Sequence, residues 1–141
     1  MKYDLDKKFH LTIVTPRREI FDDEVVEATF LGIDGDFGIL KGHSQFISTL
    51  RIGPVHLNRG SHPETILLAG GYAEVLAEKT LVLATDAFEA SDIDLEEVKD
   101  SKSTVEKNLS TIKLDDPKRK ELNWQLELLN AKIEYIRTSK Y

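Results

Sequence analysis

The spacing of apolar residues changes once along this chain, near Asp86, and that change limits the fold more than any single motif does. Before it, apolar residues mostly alternate. Phe9, Leu11 and Ile13 are apolar, with Val14 extending the run, while His10 and Thr12 fall between them. That is the pattern of a strand with one buried face. Runs of the same kind follow at Val25–Leu31, Val55–Leu57, Thr65–Ala69, Tyr72–Ala77 and Thr80–Ala84. Turn-forming residues separate them at Arg17-Arg18-Glu19, Asp34-Gly35-Asp36, Gly53-Pro54, Asn58-Arg59-Gly60 and Glu78-Lys79. Short strands at this close spacing predict an all-β, antiparallel sandwich or barrel. No strand alternates with a helix, which argues against a doubly wound parallel sheet.

After Asp86 the period becomes helical. Ser91 is a candidate helix cap with Asp94 in the capping-box position, and Asp92, Asp94, Glu96 and Glu97 place negative charge where the helix dipole favours it. Leu95, Val98, Val105, Leu109 and Ile112 share one face, which Lys102 interrupts. The segment Leu114-Asp115-Asp116-Pro117 breaks the helix, with Asp116 as the next cap and Pro117 as the first helical residue. Leu122, Leu126, Leu129, Ile133 and Ile136 then recur at spacings of four, three, four and three, a coiled-coil seam. The sequence therefore predicts a β-sandwich domain over 1–88 and an antiparallel two-helix hairpin over 89–141. Five seam residues at ~25 cal/mol per Å² hardly offset the entropy of ordering two helices. The hairpin is expected to lean on the sandwich or on a partner, and so to be able to exchange one for the other. Trp124 and Tyr135 lie off the seam, free to cover the sandwich or to anchor a partner.

Charge narrows the partners. The chain is net −6, which disfavours nucleic acid. Its last segment is basic, with Lys118, Arg119, Lys120, Lys132, Arg137 and Lys140 against Glu121, Glu127 and Glu134. Lys118-Arg119-Lys120 opens the second helix, where each positive charge opposes the dipole by roughly 0.3–1 kcal/mol. An acidic partner surface would account for that placement. There is no cysteine, so thiol chemistry and disulfides are excluded. The start of the chain, Met1 to Lys8, has no apolar signal core, and no later run is long enough to span a bilayer. Such a chain is expected to be soluble and cytosolic, reaching a membrane only through other proteins.

Enzyme motifs are missing. The glycines of Gly35-Asp36-Phe37-Gly38 are followed by no lysine–hydroxyl pair of a P-loop and by no G-x-G-x-x-G turn into a helix. Asp34 and Asp36 lack the further acids of a calcium loop, having Gly38 and Gln45 where those would stand. His10, His43, His56 and His62 show no metal-ligand spacing, and Ser44 sits in no nucleophile elbow. No metal, cofactor or catalytic residue is assigned. Gly70-Gly71 reads as a tight strand connection or a bulge.

The segment Gly35-Asp36-Phe37-Gly38-Ile39-Leu40-Lys41-Gly42-His43 resembles the G-[DE]-x-G-I-x-P-G-H signature of ATP synthase epsilon subunits. Ala69-Gly70-Gly71-Tyr72-Ala73-Glu74-Val75 is similar to the family's S-G-G-x-x-E-V, Thr80–Asp86 to its closing strand, and Ile93-Asp94 to the start of its first C-terminal helix. The resemblance implies a non-catalytic rotor subunit of the central stalk. The sandwich would dock beside the gamma subunit and rest on the ring of c subunits, coupling proton flow to ATP synthesis. Asp34, Gly35, Asp36, Lys41 and His43 would face that ring. The hairpin would extend towards the catalytic beta and alpha subunits and inhibit hydrolysis through Lys118, Arg119, Lys120, Lys132 and Arg137. The family and the missing transit segment imply a peripheral place on the cytoplasmic face of a bacterial plasma membrane. Two positions depart from the family. Lys41 replaces the proline before Gly-His, and Glu97 replaces the arginine of the I/L-D-x-x-R-A motif found in members that bind ATP. A carboxylate at 97 repels nucleotide phosphates. An ATP-sensing module is therefore the alternative reading, and no nucleotide-binding residue is assigned.

Overall fold

The computed structural model describes residues 7–139, so the expectations for Met1–Asp6 and for Lys140 lie outside the described residues. The chain divides into a compact unit ending at Phe88 and a second beginning at Glu89.

The first unit holds eight strands: β1 (Phe9–Val14), β2 (Glu19–Val25), β3 (Glu27–Gly32), β4 (Gly35–Ile39), β5 (Phe46–Asn58), β6 (Pro63–Val75), β7 (Lys79–Ala84) and β8 (Ala87–Phe88). They pair in the order β2-β1-β7-β6-β5-β3-β4, with β8 on β6. The ladders are antiparallel except β1 on β7, which is parallel, a departure from the all-antiparallel expectation. Alternation fixes the register: β1 buries Phe9, Leu11 and Ile13, and β7 buries Thr80, Val82 and Ala84. With Val25, Phe30, Ile39, Val55 and Val75 the apolar side chains among these, Phe9, Leu11, Ile13, Val82 and Ala84, fill one core. Each fully buried aliphatic or aromatic side chain contributes about 1.5–3 kcal/mol.

Gly53-Pro54, expected as a break, and Gly70-Gly71, expected as a tight connection or a bulge, lie inside the two 13-residue strands β5 and β6. Pro54 is tolerated because the β3–β5 ladder is interrupted opposite it, between Thr29 and Gly32, so its missing N–H costs no ladder bond on that side. Gly70 and Gly71 have φ of +84° and +139°. Here β6 changes its second partner, from β8 at Leu67–Leu68 to β7 at Gly71–Val75. The glycine pair thus lets one long strand pair with β8 before it and with β7 from Gly71 onward. β2 and β4 are strands that apolar alternation does not reveal. In β2 the run Asp22-Asp23-Glu24 masks the alternation of Phe21 and Val25. In β4 two glycines leave Ile39 as the one buried residue. Both are sheet edges, where charge and glycine discourage pairing with another chain. Arg59 ties the β2 edge down: it donates to Asp23 at 3.0 Å and to Glu64 at 3.2 Å, and lies 4.8 Å over the Phe21 ring.

The second unit begins with a 3₁₀ turn, Ala90–Asp92, followed by α1 (Leu95–Thr111) and α2 (Lys118–Thr138). Ser91 lies in the 3₁₀ turn and is no helix cap. Asp94 is the cap, because its backbone is extended (φ −95°, ψ 109°) and its carboxylate accepts from the Glu96 and Glu97 N–H groups at 3.1 and 3.3 Å. Asp116 accepts from the Lys118 N–H at 2.9 Å, and Pro117 already has helical angles. The start of α1 meets Leu129 and Lys132 late in α2, while Asn108–Ile112 meet Lys118–Leu122, so the pair is antiparallel. Its buried residues are Val98, Val105 and Tyr135; the seam from Leu122 to Ile136 is only half-buried. Tyr135 is thus placed inside, whereas Trp124 remains exposed.

Candidate functional site: two turns, an apolar sheet face and a basic helix

The five residues expected at a ring contact fall at the two ends of β4, roughly 14 Å apart by strand rise. Asp34, Gly35 and Asp36 form the exposed β3–β4 tip. There Asp36 pairs with Arg51 at 2.6 Å, and the Ile33 N–H donates to Thr49 O at 2.9 Å. Lys41 and His43 belong to the turn after β4. The Gly42 N–H anchors that turn to Ala77 O at 2.7 Å, next to the β6–β7 turn. Lys41 is exposed, while His43 is half-buried against Phe46, with Nδ1 2.9 Å from Ser44 O. The structure thus brings Lys41 together with His43 and Asp34 together with Asp36, but keeps the two groups apart.

Between these ends, the outer face of β5–β6–β7 carries a patch that the sequence reading missed. Register places Ile47 opposite Glu74 and Glu74 opposite Leu81, with Thr49 opposite Tyr72 and Tyr72 opposite Leu83 in the next row. All point away from the core that holds Ala73, Val75 and Val82. Ile47 is 71% exposed, Tyr72 57%, Leu83 50% and Leu81 38%. Contiguous large apolar side chains on an outer face mark an interaction surface. The partial signal is Leu81-Val82-Leu83-Ala84, continuously apolar and so apolar on both faces, of which the structure buries only that of Val82 and Ala84.

The basic residues of the helical unit occupy unequal environments. Lys118 and Lys120 are exposed on the first turn of α2. Arg119, between them, is half-buried and folds back: Nη2 donates to Leu109 O at 3.0 Å and Ile112 O at 3.1 Å, and Nε to Lys113 O at 3.4 Å. The local packing of the hairpin therefore accounts for one of the three charges that opened α2 against its dipole. Arg137 pairs with Glu134, which holds that carboxyl below its ordinary range and raises the guanidinium. Lys132 lines a recess of about 120 Å³ with Asp92, Asp94, Glu97 and Ser101.

Residues 8–90 match the family described as ATP synthase, Delta/Epsilon chain, beta-sandwich domain. The ATP synthase epsilon chain of Nitratidesulfovibrio vulgaris (strain DP4) is 35% identical over 77% of this chain and 81% of its own length. That of Halalkalibacterium halodurans is 33% identical over 81% of this chain and 87% of its own. The chain belongs to the ATP synthase epsilon-chain family. An epsilon chain is a non-catalytic central-stalk subunit of the ATP synthase, so this chain acts as part of that complex and not as an enzyme by itself. The fold recurs in a chain of the Euglena gracilis mitochondrial ATP synthase, with a TM-score of 0.77 at 19% identity, covering 96% of this chain and 82% of that one. It recurs again in the Tetrahymena thermophila mitochondrial ATP synthase central stalk and c ring, with a TM-score of 0.64 at 15% identity over the whole of both chains. Among the described residues, no helix is long and apolar enough to cross a membrane.

Proposed function

We propose that the β unit of this epsilon chain couples the stalk to the ring, and that its helical unit restrains ATP hydrolysis. The observation that carries the reading is the Ile47–Tyr72–Leu81–Leu83 face: a rigid sheet presenting unpaired apolar side chains suits permanent docking, here against a gamma subunit. The polar turns at the ends of β4 suit the polar loops of a c-subunit ring. Because Asp34, Gly35 and Asp36 lie apart from Lys41 and His43, reversing charge at one end at a time (Asp34→Lys, then Lys41→Glu) separates them. The end whose reversal lowers retention of the chain by the complex is the ring contact. The half-buried seam and the exposed Lys118 and Lys120 suit a helix pair that reaches the catalytic beta and alpha subunits. The chain would then be peripheral, on the cytoplasmic face of a bacterial plasma membrane.

Ending the chain at Phe88 within the assembled complex tests the inhibitory role. The complex is expected to retain the β unit while hydrolysis rises; unchanged hydrolysis means the helices do not inhibit. For the ATP-sensing alternative, the recess at the start of α1 sets the carboxylates of Asp92, Asp94 and Glu97 against the single ammonium of Lys132, an excess of negative charge that repels phosphates. Calorimetric titration with ATP is expected to give no binding heat, and micromolar affinity would reinstate that reading.

A further inference from the structure

We infer that Arg119 is the clasp of the helical hairpin: its guanidinium closes the pair by capping α1 from α2, and is released as a free cation when the helices part. The inference rests on the proposed movement of the hairpin.

A helix leaves its last carbonyls without partners and carries partial negative charge at that end. The last turn of α1 has no basic residue of its own. The Asn108 carbonyl accepts from the Ile112 N–H at 3.2 Å and the Lys107 carbonyl from the Ser110 hydroxyl at 2.7 Å. The Leu109 and Ile112 carbonyls are met by Arg119 Nη2, ten and seven residues further along the chain. Only the hairpin turn brings α2 within reach of them.

The arrangement needs arginine. One planar guanidinium spans three carbonyls from two edges of its fork, whereas a lysine ammonium at the end of a flexible stem is a single point charge. Lys118 and Lys120, on either side, stay exposed and supply the contrast: their charges are open to a partner while the hairpin is closed, and that of Arg119 is not. Opening frees Arg119 from all three carbonyls and adds a third cation to the first turn of α2. An acidic partner surface that binds all three would thus compete directly with closure.

The absence of cysteine in the natural chain allows the test. Spin labels on Lys99→Cys and Asn130→Cys, exposed positions in α1 and α2, report the separation of the helices in the full-length isolated chain by pulsed electron resonance. R119Q is expected to raise the open-to-closed ratio about tenfold, in line with the loss of a charge-assisted hydrogen bond. R119K is expected to fall between R119Q and the parent. K120Q, the same charge change one residue away, is expected to leave the distances alone. An R119Q distribution equal to the parent's overturns the inference, as does a K120Q shift of the same size. Should R119Q lose helix content, R119K decides, and a parent-like distribution for it overturns the inference. The measurement needs no complex, so it stands or falls separately from the effect of the helices on hydrolysis.

Discussion

Arg51 and Asp36 are joined by a 2.6 Å ion pair that pins the tip of the β3–β4 hairpin to β5. Arg51 Nε also reaches the Gly32 carbonyl at 3.4 Å, so one side chain holds both strands of the tip. Both partners are about half exposed, and pairs of that kind contribute roughly 0–1 kcal/mol. Arg51→Ala is therefore expected to shift the urea midpoint very little, by less than about 1 kcal/mol. Amide exchange at Gly35 and Asp36 should accelerate, because the tip loses its anchor while the core is untouched. Uniform acceleration across the β unit would show that Arg51 supports the whole sheet.

The outer face of β5–β6–β7 gives a prediction of the opposite kind. Ile47 and Leu83 bury little area in the chain itself, so Ile47→Thr and Leu83→Thr should each change its stability by about 0.5 kcal/mol or less. In the assembled complex the same changes would remove apolar area from a docked surface. Retention of the chain after gel filtration of the complex is expected to fall, most in the double variant. Full retention by the double variant would place the stalk contact elsewhere.

The change from strands to helices was legible in the sequence because it rests on periodicity: Phe9-Leu11-Ile13 can bury one face only as a strand, and the Leu122–Ile136 seam only as a helix. Asp116 and Pro117 marked the start of α2 because capping is a local event. Other features depend on the partner strand. Gly53-Pro54 looks like a break until the interrupted ladder opposite it is seen, and β2 and β4 are edges whose charges and glycines conceal their alternation. The candidate site was legible as a segment but not as a shape, since nothing in Asp34–His43 reveals that β4 separates its two ends. Arg119 shows the same limit. Its charge could be read in the sequence, but its carbonyl partners come from the turn of the hairpin.

A pH dependence follows from His10, whose ring nitrogens face Asp22 Oδ1 and Glu24 Oε1 across the β1–β2 ladder. The hydrogen bond to Asp22, then that to Glu24, raises the imidazole above 6.5, and the bonds from His10 and Thr12 lower Asp22 below 3.8. A raised histidine stabilises the fold fully below its unfolded value, and that contribution is lost as pH rises through the folded one. The lowered carboxylate stabilises above its unfolded value, and its contribution is lost as pH falls. Both act between 3.8 and 6.5, so His10→Gln should narrow the stability margin most in that window and least well above it. Urea unfolding across pH, with the His10 ring followed by NMR, checks this. A ring that titrates at or below 6.5 would remove the basis for it.

The sharpest test of the sandwich itself is at Gly71. A Cβ there would stand 2.2 Å from Leu83 O and 2.8 Å from the Ala84 Cα, on a backbone with φ +139°. Neither obstacle can yield without moving β7, and L side chains rarely adopt that conformation. Gly53 makes the comparison. Its added Cβ would meet Leu31 Cδ1 at 1.9 Å, a closer approach but to the far end of a half-buried side chain that can change rotamer. Gly71→Ala is therefore expected to cost about 2–4 kcal/mol and Gly53→Ala about 1 kcal/mol, by urea unfolding. The order matters more than the sizes. If Gly53→Ala proves the costlier, then the packing of Leu31, and not the passage of β6 between its two partner strands, limits the stability of the β unit.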